Sequence, residues 1–135
     1  MKICIVIANY YPKISKNLLI GCLKVFKQNN FKKNKIIYVP GIYEIPVVIS
    51  KNIKSFDAFV ALGCVIKGQT PHFNFISNAT INSLINLSVN HKKPIGNGIV
   101  TCLNKKQALI RSNPMKKNKG GEAAKAAISV LKNFK

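Results

Sequence analysis

Two stretches of this chain are apolar without a polar break. Residues 3–8 read Ile-Cys-Ile-Val-Ile-Ala, and residues 57–66 read Asp-Ala-Phe-Val-Ala-Leu-Gly-Cys-Val-Ile, unbroken after the opening Asp57. A strand with one face in water alternates polar and apolar positions, whereas an unbroken run needs cover on both faces. Such cover is what helices give a parallel sheet, so these runs predict an α/β protein.

The rest of the chain fits that frame. Leu18, Leu19, Cys22, Leu23, Val25 and Phe26 recur at helical spacing over 15–29, with Ser15 as the expected N-cap. Residues 35–39 predict a second strand, ended by Pro40-Gly41. A short helix over 43–54 carries Pro46 in its first turn, where proline is tolerated. A long helix over about 71–90 presents Phe73, Ile76, Thr80, Leu84 and Leu87. A fourth strand follows near 95–102, then helices over 104–111 and 119–133. The order β-α-β-α-β-α-β-α-α predicts one doubly wound domain over residues 1–135 with right-handed crossovers.

Composition narrows the function. Of 135 residues 47% are hydrophobic, enough for an ordinary core and too many for a disordered chain. Twenty-two basic residues face three acids, Glu44, Asp57 and Glu122, for a net charge of +19. All the basic residues but Arg111 are lysine. A charge of this size attracts any polyanion. Yet the runs at 32–35 and 116–119, both Lys-Lys-Asn-Lys, lack interleaved aromatics and any nucleic-acid-binding signature, and read as solvated loops. No specific nucleic-acid partner is expected. Cys4, Cys22, Cys64 and Cys102 show no C-x-x-C spacing and read as reduced core thiols of a cytoplasmic protein. With few acids and with His72 and His91 far apart, no metal site is expected. Neither a signal peptide nor a membrane span is expected.

Ligands of open α/β sheets bind outside the carboxyl ends of the strands. Three such ends carry residues that packing does not demand: Asn9, Tyr10 and Tyr11; Pro40 to Glu44; and Gly68-Gln69-Thr70-Pro71-His72. In the last, Thr70 is expected to cap the long helix with Pro71 at its first position. Gly68 lets a ligand approach, and the helix N-terminus suits a phosphate. His72 falls in that first turn, where the dipole disfavours imidazolium and leaves a proton acceptor. The alternatives are plain: a surface histidine beside a cap, a Glu44 that stabilises a helix start, tyrosines that merely pack, and an Arg111 in solvent. Used in a site, Glu44 would accept from ligand hydroxyls, Tyr10 and Tyr11 would stack on a planar ring, and Arg111 would clamp a phosphate.

Five segments carry a resemblance: IVIANYYPKISKNLLIGC (5–22), VPGIYEIP (39–46), ALGCVIKGQTPHFNF (61–75), IGNGIVTCLNKKQALIR (95–111) and NKGGEAAKAA (118–127). Together they resemble the 6,7-dimethyl-8-ribityllumazine synthase family over nearly the whole chain. The resemblance implies a flavodoxin-like three-layer sandwich with a four-stranded parallel sheet. It implies condensation of 5-amino-6-(D-ribitylamino)uracil with 3,4-dihydroxy-2-butanone 4-phosphate, the penultimate step of riboflavin biosynthesis, without metal or organic cofactor. It implies His72 as the proton shuttle, Gly68, Gln69, Thr70 and Arg111 around the phosphate, and Tyr10 stacked on the pyrimidine. Glu44 with Ile42 and Tyr43 would take the ribityl chain. Cys64, Val65 and Ile66 would line the pyrimidine pocket, with Lys119 near the ring. Asn97 departs from the phenylalanine of many members, and Pro114-Met115 interrupts a stretch, 113–117, that is glycine-rich in the family. The family pattern also implies a homo-oligomer, a pentamer or an assembly of pentamers, with active sites between subunits.

Overall fold

The computed structural model describes residues 1–134. Its elements are β1 (Ile3–Ala8), α1 (Pro12–Gln28), β2 (Asn34–Val39), a 3₁₀ turn (Ile42–Glu44), α2 (Ile45–Asn52), β3 (Ala58–Ile66), α3 (His72–His91), β4 (Ile95–Cys102), α4 (Lys105–Ser112) and α5 (Lys119–Lys132). The strands lie in the order β2-β1-β3-β4, and every pairing is parallel. This is the flavodoxin-like order without a fifth strand.

The two unbroken runs form the central strands. All six residues of β1 are buried, as are the first seven of β3. One core layer joins Ile3, Ile5, Ile7, Val60 and Leu62 to α1, α4 and α5. The other joins Cys4, Val6, Phe59 and Ala61 to α2 and α3. The three layers follow from the sequence pattern, since alternate side chains of one strand point to opposite faces.

Several helix starts differ from their expected positions. Helix α1 begins at Pro12, so Ser15 lies inside its first turn and does not cap it. The Ser15 hydroxyl is buried and donates to the Ala8 carbonyl at 2.6 Å. Thr70 caps nothing: Pro71 takes the N-cap position of α3, and no side chain bonds there. A proline next to the loop fixes the turn without a hydroxyl. The expected 43–54 helix splits into the 3₁₀ turn and α2. The N-terminal side-chain caps that the α-helices do form are asparagines. Asn104 Oδ1 accepts from Gln107 N at 2.9 Å, and Asn118 Oδ1 from Gly121 N at 3.2 Å.

Helix α3 sits lightly on the sheet. Of its expected stripe only Thr80 and Leu84 are buried, joined by Ser77, while Phe73, Ile76 and Leu87 are half-buried. Phe75, Ile85 and Val89 are exposed. Helix α5 presses closely on α1 and β4. A Cβ on Gly120 would run into the Leu18 carbonyl, and one on Gly96 into the Ala123 carbonyl. The lysine runs are solvated over residues 32–35 and at Lys116 and Lys117. All four cysteines are free and buried. Among the described residues no helix is long and apolar enough to cross a membrane.

Candidate active site

The chain leaves β1 toward β2 on one side and toward β3 on the other. That reversal opens a crevice at the carboxyl ends of β1 and β3, the usual ligand position in an open α/β sheet. A pocket of about 270 Å³ occupies it. Tyr10 and Tyr11 come from the end of β1, Gly41 and Ile42 from the turn after β2, and Cys64, Val65 and Ile66 from the end of β3. Gly68 and Thr70 follow in the loop, then His72, Phe73 and Ile76 from the start of α3.

Each wall has a local cause. Pro12 starts α1 immediately after the two tyrosines, so they stand at the strand end instead of entering the sheet. Their rings meet edge to face, with centroids 4.9 Å apart and planes at 76°. Burial pushes the Tyr11 hydroxyl up from its ordinary value, with Cys64 and Tyr10 adding to the shift. The turn after β2 is closed by Glu44, whose Oε1 accepts from Gly41 N at 2.9 Å. Helix α3 opens with His72, and the Asn74 and Phe75 amides already return to the Pro71 carbonyl, at 3.0 and 3.2 Å. The earlier amides have no partner within the helix and face the loop end, together with the positive end of the helix dipole.

Cys64 meets Cys102 on the floor. Burial pushes the Cys64 thiol up to about 12, helped by its charge and hydrogen-bond coupling to Cys102. Cys64 is therefore a neutral thiol that lines the pocket and is a poor nucleophile. Among the described residues no group of three or more His, Cys, Asp or Glu side chains forms a metal-binding cluster.

Not every expected site residue lines this pocket. Tyr10, Ile42, Cys64, Val65, Ile66, Gly68, Thr70 and His72 do. Tyr43 and Glu44 line a neighbouring groove of about 520 Å³ between α2 and α3, with Val47, Thr80 and Leu87. Gln69 is exposed in the loop beside the pocket. Arg111 stands at the same sheet edge but beyond the pocket, its Nη1 donating to Thr101 O at 3.3 Å and Gln107 Oε1 at 3.2 Å. Lys119 pairs with Glu122 at 2.9 Å at the start of α5. Asn97 lies exposed on β4, where its Oδ1 accepts from Ile99 N at 3.1 Å. Sequence reasoning did not assign Gly41, Phe73 and Ile76 to the site. Their signal was position alone: Gly41 and Phe73 adjoin assigned residues, and Ile76 lies one helical turn after His72.

The fold and the pocket define a class: an open α/β protein that offers an aromatic wall, a histidine and a helix N-terminus to one small ligand space. Comparison with known proteins narrows it. A sequence profile described as 6,7-dimethyl-8-ribityllumazine synthase matches residues 1–135. A protein of that name from Buchnera aphidicola subsp. Acyrthosiphon pisum (strain Tuc7) is 43% identical over 141 residues, covering 98% of this chain and 86% of the relative. One from Arthrobacter sp. (strain FB24) is 38% identical over 137 residues, covering 100% and 85%. One from Bartonella tribocorum (strain CIP 105476 / IBS 506) is 42% identical over 132 residues, covering 96% and 87%. The chain belongs to the 6,7-dimethyl-8-ribityllumazine synthase family, transferases that carry out a condensation step of riboflavin biosynthesis.

Proposed function

We propose that the pocket at the ends of β1 and β3 condenses 5-amino-6-(D-ribitylamino)uracil with 3,4-dihydroxy-2-butanone 4-phosphate, and that residues 1–135 form one domain for this purpose. The observation that carries the reading is the position of His72. It begins α3 and shares a pocket wall with Tyr10 and the Gly68–Thr70 loop.

The chemistry assigns places. The uracil is planar and fits against the exposed Tyr10 ring, over Cys64, Val65 and Ile66. The ribityl chain runs toward Ile42, Tyr43 and Glu44, where the second carboxylate oxygen of Glu44 accepts from a hydroxyl. The phosphate takes the Gly68-Gln69-Thr70 loop and the free amides of α3. The substrate amine attacks the ketone and water leaves as the imine forms. Phosphate is then eliminated, and the ribityl-bearing nitrogen closes the ring with loss of water. Each step moves a proton on a positioned pair of substrates, which is the work of His72.

Gln69, Arg111, Lys119 and Asn97 do not line the pocket of their own chain. We place Arg111 on the phosphate, Lys119 near the ring and Asn97 at the rim, in a site shared between subunits. The exposed Phe75, Ile85 and Val89 of α3 and Val47 of α2 support a homo-oligomer, which the family resemblance makes a pentamer or an assembly of pentamers. Four free, buried thiols support a reducing, cytoplasmic setting.

The test is direct. Purified protein is mixed with both substrates, and lumazine absorbance is followed above the spontaneous rate. Acceleration is expected, with His72→Ala about 10²-fold slower and still assembled. A folded, assembled protein without acceleration would refute the reading.

A further inference from the structure

We propose that Tyr11 is a positioning residue that holds the Tyr10 ring ready for the planar substrate. The inference rests on the reading of Tyr10 as the stacking wall and deepens it.

Tyr10 is 71% exposed, and among the described residues no hydrogen bond fixes its hydroxyl. Its ring hangs on two rotatable bonds. An exposed aromatic of this kind samples several rotamers and loses that freedom when a ligand binds. Among the described residues Tyr11 is its one aromatic neighbour, nearly perpendicular at a centroid distance of 4.9 Å. That is the preferred edge-to-face arrangement, and it restricts the plane Tyr10 can adopt.

Tyr11 is itself well anchored. It is half-buried and packs on the core layer beneath α1. Its carbonyl accepts from Ser15 N at 2.9 Å, while the Ser15 hydroxyl reaches back to Ala8 O at 2.6 Å. The backbone on both sides of the tyrosines is thus tied to the end of β1. Order passes from the core to Tyr11, from Tyr11 to Tyr10, and from Tyr10 to the substrate. Tyr11 also lines the pocket, so the contact lies where the substrate enters.

The test compares Tyr11→Leu, which keeps apolar bulk, with Tyr11→Phe, which keeps the ring. Steady-state kinetics and calorimetric binding of 5-amino-6-(D-ribitylamino)uracil alone are the readouts. Tyr11→Leu should raise the KM and Kd of the aminouracil about fivefold, the scale of one aromatic pair. kcat and the KM of the butanone phosphate should not change, and Tyr11→Phe should match the parent enzyme. A merely structural role would instead lower Tm and shift kcat and both KM values together, which would overturn the inference. Should Tyr11→Leu fail to fold, Tyr11→Met carries the same comparison. Tyr10→Ala separates the two levels of the argument. If it weakens aminouracil binding while Tyr11→Leu does not, positioning by Tyr11 is wrong and stacking on Tyr10 stands. If Tyr10→Ala leaves binding intact, both fall.

Discussion

Glu44 Oε1 accepts the Gly41 amide at 2.9 Å, so this carboxylate closes its own turn with one oxygen and has only the other for a ligand. Gly41 lines the pocket and Glu44 the adjacent groove, which makes the pair the wall between them. Glu44→Gln keeps an acceptor for Gly41 and should leave Tm close to the parent. Glu44→Ala removes it and should cost about 1 kcal/mol, roughly 4 °C in Tm, the scale of a capping interaction. Both should raise the aminouracil KM, Ala more than Gln. Thermal melts and kinetics on the two variants decide it; equal Tm values for all three proteins would show that the turn does not depend on the carboxylate.

Arg111 holds two acceptors of its own chain at 3.2 and 3.3 Å, long contacts that leave most guanidinium donors free. Arg111→Ala should raise the KM of the phosphorylated substrate and leave that of the aminouracil in place. Arg111→Lys should restore charge without the bidentate fork, and so recover only part of the loss. A change confined to the aminouracil KM would remove Arg111 from the phosphate.

Glycine-to-alanine changes inside a helix ordinarily stabilise by up to about 1 kcal/mol. Gly120 should show the opposite sign. Its missing Cβ is where the Leu18 carbonyl of α1 passes, so a methyl group there must push α5 off α1. Gly120→Ala should lose about 1–3 kcal/mol, the usual scale of overpacking. Denaturant unfolding measures it, and a neutral or stabilised variant would contradict the close approach.

Burial pushes the Cys22 thiol from 9.0 up to about 12 and, opposed by Lys35, the Cys4 thiol up to about 11. The folded state therefore keeps protons that the unfolded chain gives up above pH 9. The stability tied to these thiols is complete below pH 9 and is lost as pH rises toward 11 and 12. Cys22→Ala removes one such group. Its Tm should fall less steeply with pH above 9 than that of the parent protein, whatever its starting value. Parallel curves for the two proteins would exclude the thiol as a source of alkaline lability.

The sheet was legible because β1 and β3 are apolar on both faces, a pattern that admits little else. The helix starts were harder to read. Serine and threonine suggested caps at Ser15 and Thr70, but Pro12 and Pro71 set those starts, and the Ser15 hydroxyl turns to the Ala8 carbonyl. Asn118 caps α5 from a left-handed conformation, φ 47°, which local sequence does not announce. The pocket was legible at the strand ends and the loop after β3, where Tyr10, Ile66 and His72 stand. Arg111 stood out as the sole arginine, and Lys119 and Asn97 were chosen by resemblance; a single chain does not gather them because they sit on α4, α5 and β4, beyond the β1–β3 crevice. The stripe of α3 was legible too: Phe73, Ile76, Thr80, Leu84 and Leu87 all face inward, while the apolar Phe75 and Val89 outside it are exposed.

The tight seam between α1 and α5 also bears on how the polypeptide is made. Ile14, Leu18 and Cys22 of α1 share one core layer with Ala124, Ala127 and Ile128 of α5, which are synthesised much later. At ordinary translation speeds the interval from the end of α1 to the start of α5 is roughly five to twenty seconds. Throughout it the nascent chain carries β1 and α1 while their partner helix is not yet made. A long-range pairing of this kind slows folding, because the α1–α5 seam cannot form before α5 emerges. Until then the apolar faces of β1 and α1 that α5 will cover stay open.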